Sequence, residues 1–257
     1  MKVVVGAPVA ARAWSLPKWF QCIYSQTRVP DEFVFVIGEV GDDQSRQIIH
    51  DHVPQAKLSY AIDQTRYVPR MERASVETRF VYGDFAWRRN RLLQMVQKRD
   101  PDVFISLDTD LMLEDPTTIE RLLELLERAP VAAPLTYLHP TGAASECFNA
   151  GWWAGGEPGS PDRAWRRATA KEAHGVIPID IPMAAVAMRR QVVETAKYAF
   201  HECGEDMGFA QDLDRLGYEC LWDTDLYATH YMDEQALITS AHNDPAPCGD
   251  GRLKACV

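Results

Sequence analysis

"VFISLDTDLML", residues 103–113, decides the fold. Val103 to Leu107 read as a strand buried on both faces, because such strands carry continuous apolar residues and not an alternation. The run ends in Asp108 and Asp110, two residues apart, and returns at once to apolar residues. Ionised Asp beside a core is costly unless it is paired or meets a cation. In open α/β sheets ligands gather beyond the carboxyl ends of the strands, which is where these acids stand.

The pattern around this stretch is that of alternating strands and helices. "KVVVGA", "EFVFVIG" and "KLSYAI" read as strands. "SLPKWFQCIYSQ" reads as a helix capped by Ser15 with Pro17 in its first turn, and "DDQSRQIIHDHV" as a second helix. A long Arg-rich connection leads to a helix from about Phe85 to Lys98. After the central strand, Asp115 caps and Pro116 starts a helix with Ile119, Leu122, Leu123 and Leu126 on one face. Strands separated by helices imply a mainly parallel sheet.

The second half is less regular. "VAAPLTYL", "CFNAGWWAG" and "VIPIDIPMAAVAM" look like strands interrupted by Gly and Pro, and "ECLWDTDLYATHYM" like two closing strands. "GEDMGFAQDLDRLGYE" reads as a helix with Phe209, Leu213 and Leu216 inward and Gly217 at its end. The expectation is one α/β domain over 1–240, with a nucleotide-binding half to about 115 and an acceptor-binding half from about 116. An irregular tail covers 241–257.

Of the 257 residues, 46% are hydrophobic and 25% charged, which points to a globular chain and not to a disordered or fibrous one. No apolar stretch approaches the roughly 20 residues of a membrane span. The first residues turn polar too soon for a secretory signal, and six scattered cysteines form no C-x-x-C pair. A cytoplasmic location with reduced thiols is expected. The net charge of −10 argues against a partner held by polyanion attraction alone. Residues 66–91, with seven Arg against three acids, and "DRAWRRATAK" still leave room for local anion sites.

Two aspartates on one side of a strand end make a hard, partial oxygen site suited to Mg²⁺ or Mn²⁺ shared with a substrate phosphate. Taken alone, Asp-Thr-Asp equally caps a turn. Glu205 and Asp206 open a helix, where acids also occur for the macrodipole alone. His230 stands in the apolar and aromatic "LYATHYM", as a ligand or as a core histidine. Trp152 and Trp153, adjacent on a strand, point to opposite faces, so one can be core and the other can stack on a sugar or base.

This order of motifs resembles the nucleotide-sugar glycosyltransferases of the GT-A fold, in particular the family 2-like group, over about residues 2–232. The strand ending in Asp-x-Asp is followed by Glu-Asp opening a helix that ends in Leu-Gly-Tyr, then by a His on a late strand. "FAWRRNRLLQMV" is similar to that family's Ala-Arg-Asn helix, which puts Arg89 and Asn90 on the motif. "CFNAGWWAG" is similar to its Asn-x-Gly strand beside the acceptor, which adds Asn149 to Trp152 and Trp153 as acceptor residues. The resemblance implies Asp110 as principal ligand of Mn²⁺ or Mg²⁺, Asp108 facing the ribose or joining the metal, and His230 completing the protein ligands. It implies Ala7, Pro8, Arg12 and Arg89 around the nucleotide, Asp206 as general base and Glu205 beside it. The family often carries Asp-Asp after the second strand. Here Gly38-Glu39 stand at that point, with Asp42 and Asp43 a little later, so Glu39 is the acid left for a base or ribose.

The expected activity is metal-dependent, inverting transfer from a UDP- or GDP-type sugar donor to an acceptor hydroxyl on a saccharide, glycolipid, protein or hydroxymethylated DNA base. The alternatives are a sugar-phosphate nucleotidyltransferase and a non-catalytic nucleotide-sugar-binding protein.

Overall fold

The computed structural model describes residues 1–38, 43–63, 82–136, 147–160, 163–169, 171–201, 203–231 and 233–242. The apolar runs form β1 (Val3–Val9), β2 (Glu32–Gly38), β3 (Leu58–Asp63) and β4 (Val103–Leu107). Between them lie α1 (Leu16–Tyr24), α2 (Asp43–His52) and α3 (Tyr82–Gln97). Then follow β5 (Leu111–Leu113), α4 (Thr118–Leu125), β6 (Val131–Thr136), β7 (Cys147–Trp153) and β8 (Trp165–Thr169). The chain continues through β9 (Val176–Ile179), β10 (Ile181–Pro182), β11 (Ala185–Arg189) and α5 (Arg190–Thr195). It closes with α6 (Glu205–Leu216), β12 (Cys220–His230) and α7 (Glu234–His242).

Among the described residues the main sheet runs β3-β2-β1-β4-β11-β6-β12-β5, with β9 paired to β12, and a small sheet runs β10-β7-β8. β1, β2, β3 and β4 are mutually parallel, whereas β11 enters antiparallel between β4 and β6. Side chains alternate across the pleat, so successive residues of β1 feed different cores. Val3, Val5 and Ala7 pack with Trp19, Phe20, Phe35 and Leu122 on the α1 side, and Val4 packs with Val34, Leu92, Phe104 and Phe209 on the α3 side. Both faces are thereby covered, which is why the strands read as unbroken apolar runs. Among the described residues no helix is long and apolar enough to cross a membrane.

Several elements differ from the sequence expectation. Ser15 stands before α1, but its backbone is already near-helical and its hydroxyl donates to the Arg12 carbonyl, so no side-chain cap forms. The helix expected from Pro116 starts at Thr118, because the Asp115 carboxylate accepts from the Thr117 N–H at 2.7 Å and holds a turn first. The two closing strands are one, β12, which pairs with β6 on both sides of an irregularity between Asp223 and Tyr227 and, on its other edge, with β9 and then with β5. α5, β8 and α7 had no clear sequence signal, and α7 carries ordered structure past residue 240 to His242.

Candidate active site

The sheet order reverses at β1, whose two parallel neighbours are β2 and β4. Such a switch point opens a crevice beyond the strand ends, and both candidate loops emerge there. Arg12 follows β1, and Asp108 to Asp110 follow β4.

The strand geometry does not persist through the acids. β4 stops at Leu107, and Asp108-Thr109-Asp110 form a turn into β5. Its backbone is fixed from four directions. The Asp108 carbonyl accepts from Leu111 N at 3.0 Å and from the Trp19 indole at 3.1 Å. Asp108 N donates to the Ala184 carbonyl at 3.2 Å, and the Asp110 carbonyl accepts from Tyr231 N at 2.9 Å. The two carboxylates therefore turn towards different cations. Asp108 Oδ1 is 2.7 Å from Arg89 Nη2, and Asp110 Oδ2 is 2.9 Å from Arg12 Nη2. His230, the last residue of β12, lies opposite Leu111 in the ladder, which brings its Nε2 to 3.5 Å from Asp110 Oδ1.

Arg89 is the hub beneath these groups. Its side chain is only 3% exposed, donates to Ser106 Oγ at 3.0 Å, and reaches Glu205 Oε1 at 3.6 Å. It also lies 5.6 Å from the Tyr198 ring centroid. A buried guanidinium is tolerated because acids surround it, and those acids keep it firmly charged. Asn90 does not face an open crevice: its amide accepts from Tyr198 N at 2.9 Å and donates to the Tyr198 carbonyl at 2.7 Å.

Glu205 and Asp206 form the first turn of α6, after Gly204 at φ 124°. Gly208 sets the seat of that helix, since a Cβ there would drive into the Ala199 carbonyl. Burial pushes the Asp206 carboxyl up to about 8, helped by the neighbouring Glu205 charge and opposed by Arg89. Burial also raises Asp108, with Arg89 opposing it and the Asp110 and Glu205 charges adding to it. For Asp110, burial acts upward but is outweighed by its contact with His230 and the charge of Arg12, so it stays below the usual range. His230 is raised because the Asp110 contact overcomes its burial.

The remaining candidates are spread more widely. Ala7 is fully buried in β1 and Pro8 is half-buried beside it. Glu39 and Asp42 lie outside the described residues, as does most of the Arg-rich stretch, while Asp43 is exposed and pairs with Arg46. Asn149 belongs to β7. Trp153 is buried, and Trp152 is half-buried with the Arg166 guanidinium 4.4 Å from its ring centroid and its indole N–H on the Pro178 carbonyl. The two rings pack in different clusters, Trp153 with Ile181 and Met207 and Trp152 against Trp222, and Trp152 keeps part of its surface exposed.

Sequence reasoning missed Ser106, Tyr198 and Ala184. Ser106 was visible as the one polar residue inside "VFISL". Ala184 had no signal: it adopts φ 65°, and its N–H donates to the Asp206 carboxylate while its carbonyl accepts from Asp108 N.

The donor set suits a divalent cation. A carboxylate oxygen and an imidazole nitrogen 3.5 Å apart are far for a hydrogen bond, yet near the separation of two donors each about 2.1 Å from one ion. Among the described residues no group of three or more His, Cys, Asp or Glu side chains that could hold a metal ion is found.

Comparison with known proteins gives the architecture a name. No protein-family model matches the sequence, and no curated protein does. Solved structures do match. The S. aureus TarS 1–349 complex with UDP superposes with TM-score 0.55 at 13% identity, over 91% of this chain and 62% of that one. The Pyrobaculum calidifontis mannosyltransferase PcManGT, in complex with GDP-Man and Mn²⁺, gives 0.53 at 13% identity over 96% and 66%. A CMP:2-keto-3-deoxy-manno-octonic acid synthetase complexed with CTP gives 0.51 at 13% identity, over 95% and 98%. The fold is of the GT-A type. This chain spans somewhat under two thirds of the TarS fragment, and in the GT-A fold it shares with these structures the Asp108–Asp110 turn stands where the parallel strands end at the crevice.

Proposed function

We propose that the chain is a metal-dependent, inverting glycosyltransferase that moves a sugar from a nucleoside-diphosphate sugar to an acceptor hydroxyl. One observation supports this: at the switch point of a GT-A fold, Arg89 gathers Asp108 and the Glu205–Asp206 helix start, while Asp110, two residues on, faces His230 and Arg12. The neighbours bound to UDP, and to GDP-Man with Mn²⁺, support a nucleotide-sugar donor.

Asp110 and His230 would hold the cation, with Asp108 beside it or facing the ribose. When bound, such an ion stabilises the negative charge that develops on a departing diphosphate. Asp206 takes the proton of the attacking hydroxyl, a task matched by a carboxyl raised to about 8. Attack assisted by that base, in line with the departing phosphate, inverts the anomeric centre. Arg89 and Ser106 keep Asp108 oriented, and Glu205 lies next to the base as a sugar-binding group.

The match over nearly the whole length of the CTP-bound synthetase favours a second reading, a nucleotidyltransferase. Its weakness is the stretch from the end of β1 towards α1, "GAPVAARAWS", whose one Gly lies within β1, so that it lacks a Gly-rich phosphate cradle. Product analysis separates the two. UDP- and GDP-sugars are incubated with the chain, Mn²⁺ and saccharide, glycolipid, peptide or hydroxymethylated DNA. Release of nucleoside diphosphate with sugar on the acceptor is expected. Pyrophosphate release from nucleoside triphosphate and sugar phosphate would replace this reading with the second.

A further inference from the structure

The loop after β1 brings a second cation to the same corner as His230. Arg12 Nη2 lies 2.9 Å from Asp110 Oδ2, while the other oxygen of that carboxylate faces His230. The backbone of Arg12 is fixed, since its carbonyl accepts from Ser15 N and Leu16 N, both at 3.1 Å, and from the Ser15 hydroxyl. The preceding Ala11 sits at φ 52°, a left-handed conformation that costs an alanine about 1–2 kcal/mol and sets the direction in which the loop leaves. The side chain is held differently. It is 34% exposed, lies 5.7 Å from the Trp14 ring centroid, and reaches the site from the solvent side, whereas Arg89 is enclosed from below. Arg12 is thus a partly exposed charged head on a fixed stem.

A divalent ion arriving alone at Asp110 meets a guanidinium already in contact with its carboxylate, and like charges at such range repel strongly. An ion arriving with a diphosphate brings negative oxygens that give Arg12 a new partner, and Arg matches phosphate geometry well. We infer that Arg12 is a built-in counter-ion: it occupies Asp110 until a divalent cation and a nucleoside diphosphate arrive together, and then turns to the diphosphate. This rests on the metal role proposed above for Asp110. It makes the binding of metal and nucleotide mutually dependent, and the coupling is reciprocal by linkage.

The test is calorimetric titration of MnCl₂ into the full chain, with and without UDP or GDP, for wild type, Arg12→Ala, Arg12→Gln and Asp110→Asn. Both Arg12 variants are expected to bind Mn²⁺ alone about fivefold or more tightly than wild type. They should bind the nucleotide less tightly in the presence of Mn²⁺. A merely structural role for Arg12 would weaken both. Equal or weaker Mn²⁺ binding by the Arg12 variants, with Asp110→Asn still abolishing it, overturns the counter-ion role and leaves the metal at Asp110. Mn²⁺ binding that Asp110→Asn does not affect overturns both.

Discussion

A carboxylate in the first turn of a helix is normally held low by the macrodipole, yet Asp206 is raised to about 8 because burial and the charge of Glu205 outweigh that influence. Two consequences follow at this residue. In the proposed role of base it would work only when ionised, so kcat/KM should climb with pH towards a plateau above about 8. Asp206→Asn should lower kcat about 10²–10⁴-fold and remove that limb, with donor affinity by equilibrium dialysis unchanged. A proportionate loss of donor binding would instead make it a donor contact. For stability the sign is the reverse of a salt-bridged acid. The folded-state value lies above the unfolded one, so between about pH 4 and pH 8 the folded chain holds the extra proton and loses stability as pH rises. The Asn variant lacks this penalty, and its urea midpoint should exceed that of wild type by more at about pH 8 than at about pH 5. The sequence named Asp206, Asp110 and His230. It left their protonation unread, because that depends on Arg89, Glu205 and burial contributed by elements far apart in the chain.

Elements were legible where their periodicity was strong and local. The runs of β1, β2 and β4 and the apolar face of α4 declared themselves, since each is buried by its own sequence pattern. The pieces around the site were not, because partners from elsewhere in the chain define them. "VIPIDIPMAAVAM" divides into β9, β10 and β11, which pair with four different strands, and the break between β10 and β11 is where Ala184 turns to φ 65°. That break links the two acid-bearing elements of the candidate site: the N–H of Ala184 meets Asp206 at the start of α6, and its carbonyl meets Asp108 after the end of β4. A β-branched residue is a poor occupant of left-handed backbone, whereas glycine adopts it freely. Ala184→Val should therefore destabilise the chain by about 1–2 kcal/mol in urea and lower kcat. Ala184→Gly should keep kcat close to wild type. Equal kinetics for Val and Gly would mean that this residue does not set the spacing of the two acids.

At the scale of the molecule, the sequence suggested a nucleotide-binding half followed by an acceptor-binding half. One sheet joins the two stretches of chain. β11, from the second half, lies antiparallel to β4 over five residue pairs, Ala185–Leu107 to Arg189–Val103, and hydrogen bonds on its other edge to β6. β5, from the first half, pairs with the end of β12 and thereby carries His230 to Asp110. Neither half can keep its backbone groups paired without the other, and an unpaired buried N–H or C=O costs about 1–3 kcal/mol. Such interlocking was invisible in the sequence, where no composition break marks or denies a boundary. It makes the candidate site and the global fold a single cooperative unit: His230 and Asp110 separate when β12 leaves β5. Urea unfolding followed by far-ultraviolet circular dichroism, tryptophan fluorescence and Asp206-dependent activity should give one coincident transition. Trp19, bonded to the Asp108 carbonyl, and Trp222, buried in β12, place a fluorescent reporter in each nominal half. With Trp222→Phe the six remaining tryptophans divide equally between the halves, and their fluorescence change should keep the same midpoint as the dichroism of the same variant. Two separated midpoints would mean that β4 and β11 part before either half unfolds.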